Sequence, residues 1–167
     1  INGKLINFYK VVRDNPESLI KEYIKLENQY LLTIPEEAKV LHKTKDKVLL
    51  KTVLKKAEDF YKTVRSGFTD SQNSIDSAVT LLFLQNHCFN GIYRENSKGG
   101  YNTPFNWEAR SYTEEKVRDK VISVHNLFKK FNIEFSNKSF QDLDYNNHTL
   151  YYLDPPYINE VEALENQ

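Results

Sequence analysis

Cysteine occurs once in the 167 residues, at Cys88, and methionine does not occur at all. One thiol excludes a disulfide framework within the chain and a cysteine-based zinc cluster, and it sets a reducing, cytoplasmic location as the expectation. The histidines, His42, His87, His125 and His148, are scattered without metal-ligand spacing, so no metal is expected, and His87, His125 and His148 read as ordinary polar residues. No apolar run approaches membrane-spanning length and nothing resembles a signal peptide, so no membrane partner is expected either. Repeats and low-complexity tracts are missing as well. The chain starts at Ile1-Asn2-Gly3 with no initiator methionine, and a helical pattern begins at once.

What is present suits a globular protein of one domain, or one domain with a lobe: 40% of residues are hydrophobic and 28% charged. The net charge of zero conceals a split. Residues 39–65 hold nine Lys or Arg against three acids, a balance of +6, whereas residues 139–167 hold six acids and no Lys or Arg, a balance of −6. A basic stretch of this kind suits nucleic-acid phosphates, and it suits a solvated helix face equally well.

The spacing of Leu5, Ile6, Phe8, Tyr9 and Val12 predicts a first helix, punctuated by Asn15-Pro16. Leu19, Ile20, Tyr23, Ile24 and Leu26 predict a second, Pro35 reads as a later helix start, and residues 48–64 read as one Lys-rich helix. Residues 75–87 carry the apolar run of a buried helix. A hairpin is expected near 91–103 with its turn at residues 96–100, followed by a helix that opens at Thr113 and continues to residue 132. Short strands are expected over 133–135 and 149–153.

Residues 153–157 read LDPPY. Prolines have no N–H to give a ladder, so they end the strand that precedes them. On its own the stretch fits a chain reversal as well as a site that grips a planar, amine-bearing ligand. Two further stretches bear on the choice. Phe89-Asn90-Gly91, Arg94, Asn96, Gly99, Asn102, Pro104 and Phe105 form an ordered pattern across the predicted hairpin, and Tyr61, Arg65 and Phe68 stand upstream as Tyr-x-x-x-Arg-x-x-Phe. With these the chain resembles the Dam-type (D12 class) DNA adenine-specific methyltransferases from residue 1 to about residue 157. Its opening Ile1-Asn2-x-x-Leu5-Ile6 is similar to the family segment that follows the acid binding the cofactor ribose.

The resemblance implies an α/β fold: a partial Rossmann-like methyltransferase domain, residues 1–16 and 113–167, interrupted by a mostly helical target-recognition lobe, residues 17–112, with the β-hairpin. It implies S-adenosylmethionine as cofactor and double-stranded DNA as partner. The catalytic turn would be Asp154, Pro155, Pro156 and Tyr157. There the Asp154 carboxylate and the Pro155 carbonyl would accept hydrogen bonds from the target amine, and the tyrosine would stack on a base flipped out of the duplex. Asp154, with Phe140, Gln141 and Asp142, would contact the cofactor, although the latter three also read as an ordinary loop.

Phe89 would wedge into the duplex, or else finish the apolar helix as core. Asn90 would bond to the orphaned base or to a phosphate, and Ile92 would meet a thymine methyl. Arg94 would fork onto guanine, or else pair with Glu95 or a phosphate. Asn96 and Pro104 complete the DNA-binding set, and Lys51 would meet a phosphate.

Three features depart from the family pattern. The glycine-rich segment and the ribose-binding acid are absent, and the chain ends soon after Tyr157. It therefore reads as a middle piece of a longer enzyme, inactive alone, with the missing parts of the same enzyme as partners. The alternatives are a non-enzymatic DNA-binding fragment and one half of a split methyltransferase. Third, Asn106-Trp107-Glu108 replaces the family's usual Gly-basic-aromatic run, so a GATC target does not follow, and Trp107 reads either as core or as a base-reading residue.

Overall fold

Asn2 opens the first helix because its side-chain oxygen accepts the Leu5 N–H at 3.1 Å, which satisfies one of the donors left without a partner at a helix start. The structure, a computed structural model, describes residues 2–38, 41, 47–68, 74–107, 112–145 and 150–152. The chain divides into two compact units, Ile1–Asn137 and Lys138–Gln167.

The first unit is helical. α1 (Gly3–Asp14) stops at Asn15, whose φ of −137° and ψ of 48° lie outside the helical region that a following proline disfavours. Pro16 then takes the first position of α2 (Pro16–Leu31), where its missing N–H is no loss. Leu19, Ile20, Tyr23, Glu27 and Tyr30 form the buried stripe of α2. The Lys-rich helix expected over 48–64 is two helices, α3 (Lys47–Val53) and α4 (Lys55–Ser66), separated at Leu54, where ψ reaches 12°. Burial nevertheless continues at helical spacing across the break, through Leu50, Leu54, Ala57 and Tyr61.

α5 (Ile75–His87) starts on a Ser74 cap and is apolar nearly all round, with Ala78, Val79, Leu81, Phe83 and Leu84 buried. A helix of that kind belongs inside, and α1, α2 and α4 pack around it. α6 (Glu114–Lys130) lies on α1 and α2 through Val117, Val121 and Phe128. Acids in its first turn and lysines in its last complement the helix dipole. It ends two residues earlier than its spacing predicts. Asn132, at φ 49°, closes it with a bond from Ile133 N–H to the Phe128 carbonyl at 3.0 Å.

Among the described residues there is no strand, only two isolated antiparallel bridges, Cys88 with Phe105 and Glu95 with Tyr101. The hairpin is thus a narrow antiparallel loop rather than two paired strands. Residues 133–135, expected as a strand, make no ladder, because a strand exists only with a partner and none of the described residues supplies one. Phe135 instead stacks on Tyr9 at 5.3 Å and meets Phe128 edge-on. Of the strand expected over 149–153, residues 150–152 are described and are not in a ladder. The second unit contains a 3-10 turn, Phe140–Asp142, and an edge-on pair of Tyr145 and Tyr151. No helix among the described residues is long and apolar enough to cross a membrane.

The core of the first unit is aromatic and holds one polar knot. His87 Nε2 lies 2.8 Å from Glu27 Oε2, Tyr23 donates its hydroxyl to the same oxygen, and Asn86 donates to the Tyr23 hydroxyl. Both His87 and Glu27 are buried, with the ring of Tyr30 at 4.2 Å from that of His87. His87 is therefore a buried core residue at the end of α5, beside the loop that follows, bonded through Nε2 while its Nδ1 and Glu27 Oε1 have no hydrogen-bond partner among the described residues.

Candidate functional site

The chain leaves α5 through a turn that only certain residues allow. Asn90 and Gly91 both take left-handed backbone, φ 54° and 63°, in the 3-10 turn Phe89–Gly91. Asn tolerates that region better than other side chains, and Gly does so without penalty. The turn throws the Phe89 side chain outward, 51% exposed, so it is not part of the core.

From there the loop runs out and back. Phe89 N–H donates to the Pro104 carbonyl at 2.9 Å, Asn106 N–H to the His87 carbonyl at 2.9 Å, and Asn102 N–H to the Arg94 carbonyl at 2.9 Å. The Thr103 hydroxyl closes the middle on the Ile92 carbonyl at 2.8 Å. At the tip, the Asn96 side-chain oxygen accepts the N–H groups of Lys98 and Gly100, and Gly99 sits at φ 75°. Asn96, expected only as a member of the DNA-binding set, thus shapes the turn with its side-chain oxygen.

The returning limb alternates. Tyr101, Thr103 and Phe105 are buried, whereas Pro104 is exposed. On the outgoing limb Ile92 is 50% exposed and Arg94 is exposed. Phe89, Ile92, Arg94 and Pro104 are therefore the exposed, outward residues of a loop whose inner residues are packed. Arg94 does not pair with Glu95. It donates Nε to Asn102 Oδ1 at 2.7 Å and Nη2 to the Asn102 carbonyl at 3.1 Å, which holds the guanidinium while its Nη1 group makes no hydrogen bond among the described residues.

The inner face is clamped from α4. Tyr61 and Arg65 both donate to the Thr103 carbonyl, at 2.9 and 3.1 Å, and the ring of Phe68 meets that of Tyr101 edge-on at 6.0 Å. All three residues of the Tyr-x-x-x-Arg-x-x-Phe pattern thus act on one loop, a role that sequence reasoning left unassigned. The spacing was a usable signal, since positions four and seven along from Tyr61 share a helix face. Gln85 donates to the Tyr101 hydroxyl at 3.2 Å, and burial pushes the phenols of Tyr61 and Tyr101 upward in pKa. Burial likewise raises the Cys88 thiol, so the lone cysteine is poorly suited to act as a nucleophile. Trp107 packs edge-on against Phe105 at 5.2 Å, on the core side.

Lys51 is exposed on α3, whereas the neighbouring basic face is partly neutralised: Lys55 pairs with Glu58 and Asp59, and Lys62 with Glu58. In the second unit, the Asp142 N–H donates to the Ser139 carbonyl at 3.0 Å, and Gln141 and Asp142 are exposed on the turn so formed. The catalytic turn expected at Asp154, Pro155, Pro156 and Tyr157 lies outside the described residues, as does His148.

A profile of the family described as D12 class N6 adenine-specific DNA methyltransferase matches residues 1–164. The Type II methyltransferase M.MjaIII of Methanocaldococcus jannaschii is 29% identical over 171 aligned residues, 98% of this chain and 51% of that protein. The Type II methyltransferase M1.LlaDCHI of Lactococcus lactis subsp. cremoris is 28% identical over 166 residues, 94% of this chain and 48% of its own. A DNA adenine methylase of Vibrio cholerae is 26% identical over 116 residues, 70% of this chain and 33% of its own. The chain spans about half the length of the first two relatives.

Proposed function

Since the chain belongs to the D12 class of N6 adenine-specific DNA methyltransferases, we propose that it is the portion of such an enzyme that reads double-stranded DNA and presents a flipped adenine for methylation. The observation that carries the reading is the outward set Phe89, Ile92, Arg94 and Pro104 on a loop whose inner face is fixed to the core. An exposed aromatic at a turn is placed to fill the gap an extruded base leaves, and burying it there offsets part of the unstacking cost. Ile92 offers an apolar contact to a thymine methyl, and Arg94 a fork for the two acceptors of guanine. Asn90 and Pro104 flank them against the orphaned base and the base edges. Asn96, whose side-chain oxygen is engaged in the turn, has its amide nitrogen left for a phosphate. Lys51 meets the backbone further along, contributing affinity without sequence information.

The chemistry is assigned to the second unit. S-adenosylmethionine, when bound, supplies an electrophilic methyl on sulfur. Gln141 and Asp142, exposed on a tight 3-10 turn, offer an amide and a carboxylate of the kind that can hydrogen-bond an adenine edge of that cofactor, with Phe140 beside them. Asp154 and the Pro155 carbonyl would accept the two amine hydrogens of the target base, raising electron density on its nitrogen; Pro156 stiffens the turn and Tyr157 stacks on the base. Around this lies the division given by sequence: a Rossmann-like α/β domain from residues 1–16 and 113–167, and a recognition lobe from 17–112.

The test is transfer of labelled methyl groups to duplex DNA by the enzyme that carries these residues, wild type against Asp154→Ala. Loss of one preorganised acceptor is expected to lower turnover on the order of 10² to 10³ with DNA affinity little changed. Turnover close to wild type would remove the catalytic role from the LDPPY turn.

A further inference from the structure

The tip of the reading loop is tied down by a residue far from it in sequence. Lys4, in the first turn of α1, is buried, and its ammonium donates to Glu95 Oε1 at 2.8 Å and to the Gly99 carbonyl at 3.0 Å. It also lies 5.5 Å from the centre of the Phe68 ring. Glu95 accepts a second hydrogen bond from the Tyr93 hydroxyl. Its sequence neighbour Arg94 makes its bonds elsewhere, to Asn102. A carboxylate beside an arginine ordinarily competes for the guanidinium, and a carboxylate facing a phosphate backbone repels it. Lys4 takes Glu95 out of both interactions.

We propose that Lys4 is a positioning residue for base recognition: by holding Glu95 against α1, it keeps the Arg94 guanidinium available to a base edge. The inference rests on the reading of the loop as the DNA-reading element. Lys4 also bonds the turn carbonyl at Gly99, so it fixes the outgoing limb and the tip with one ammonium group. The direction of the Glu95 carboxyl, held below its ordinary pKa first by Lys4 and then by Tyr93, agrees with a carboxylate that is committed to these partners.

The experiment is a double-mutant cycle read as discrimination, the ratio of affinities for a duplex selected from a randomised pool and for its single-base-substituted versions. Lys4→Met keeps an aliphatic side chain on Phe68 but frees Glu95, and it is expected to lower discrimination at the guanine pair on the order of tenfold. Glu95→Gln alone is expected to change it by less than about twofold, and the double variant Lys4→Met/Glu95→Gln to recover most of the loss, because no carboxylate remains to compete. Arg94→Ala is measured alongside. If Arg94→Ala leaves discrimination intact, the reading of the loop fails. If Arg94→Ala lowers it but the double variant stays as low as Lys4→Met, Lys4 is a structural anchor only and the inference is overturned. Should Lys4→Met not fold, Lys4→Gln, which can still donate to the Gly99 carbonyl, takes its place in the same cycle.

Discussion

Under the proposed function, Arg94 is the residue that separates base reading from mere charge. Its guanidinium is oriented by Asn102, so part of the ordering that the proposed base contact requires is already in place. Arg94→Ala is expected to cost about 1–3 kcal/mol on the preferred duplex and to relax preference at one base pair. Arg94→Lys keeps the charge but loses the planar fork and is not expected to restore discrimination. Lys51→Ala is the contrasting case, weakening all duplexes alike and lowering the salt slope by roughly one. Equal weakening on every duplex by Arg94→Ala would make it a backbone contact. At this scale what the structure adds to the sequence reading is exposure: Arg94 and Phe89 both stand outward on the loop, as the proposed DNA contacts require. The sequence was not legible where a residue's task is to hold something else. Tyr61 and Arg65 converge on the Thr103 carbonyl across a separation of about forty residues; their spacing puts them on one helix face, but nothing local in the chain says what that face holds.

Elements were legible in proportion to how much of their stability is local. α1, α2, α5 and α6 follow from apolar spacing, from Pro16 at the start of α2 and from the cap at Thr113, while the caps at Asn2 and Ser74 came from the structure alone. The break at Leu54 was not visible, because burial keeps helical spacing straight through it. Strands fared worse for a physical reason: alternation marks a segment that could pair, whereas a ladder needs a neighbour that the segment does not encode. Residues 133–135 show the difference, with Phe135 packed against Tyr9 and Phe128 in place of pairing. The hairpin is the intermediate case, its turn chemistry correct at Asn96 and Gly99 and its pairing reduced to a single bridge at Glu95 and Tyr101. The cap of α5 provides a test at this scale. Ser74→Ala removes the acceptor of the Ser77 N–H and is expected to lower stability by about 1 kcal/mol in urea unfolding. Because α5 is the helix that others surround, the loss should appear in the main unfolding transition and not as fraying of one end. No change in midpoint would mean that the cap is replaced by water.

For the molecule as a whole, pH acts from both sides. Arg13 holds the Asp14 carboxyl below its ordinary pKa, and Lys4 does the same for Glu95. A depressed carboxylate contributes stability that is present above the ordinary carboxylate range and is lost as pH falls through the depressed value. On the alkaline side, burial raises the phenols of Tyr23, Tyr30, Tyr61 and Tyr101. A raised group contributes stability that is intact below its unfolded value and is lost as pH climbs beyond it. Urea midpoints measured across pH should therefore show a plateau at neutrality, a shallow acid limb that Glu95→Gln flattens, and a steeper alkaline limb that Tyr61→Phe reduces. An acid limb unchanged by Glu95→Gln would show that the pair with Lys4 adds nothing to folding. The alternation along the loop reaches beyond any one target. Tyr101, Thr103 and Phe105 face inward while Ile92, Arg94 and Pro104 face outward, so the residues that keep the fold and those that the proposed function offers to DNA are different residues. On that proposal, a substitution in the outward set changes the contacts offered while the packed set keeps the loop folded, so a change of recognition sequence requires no loss of fold.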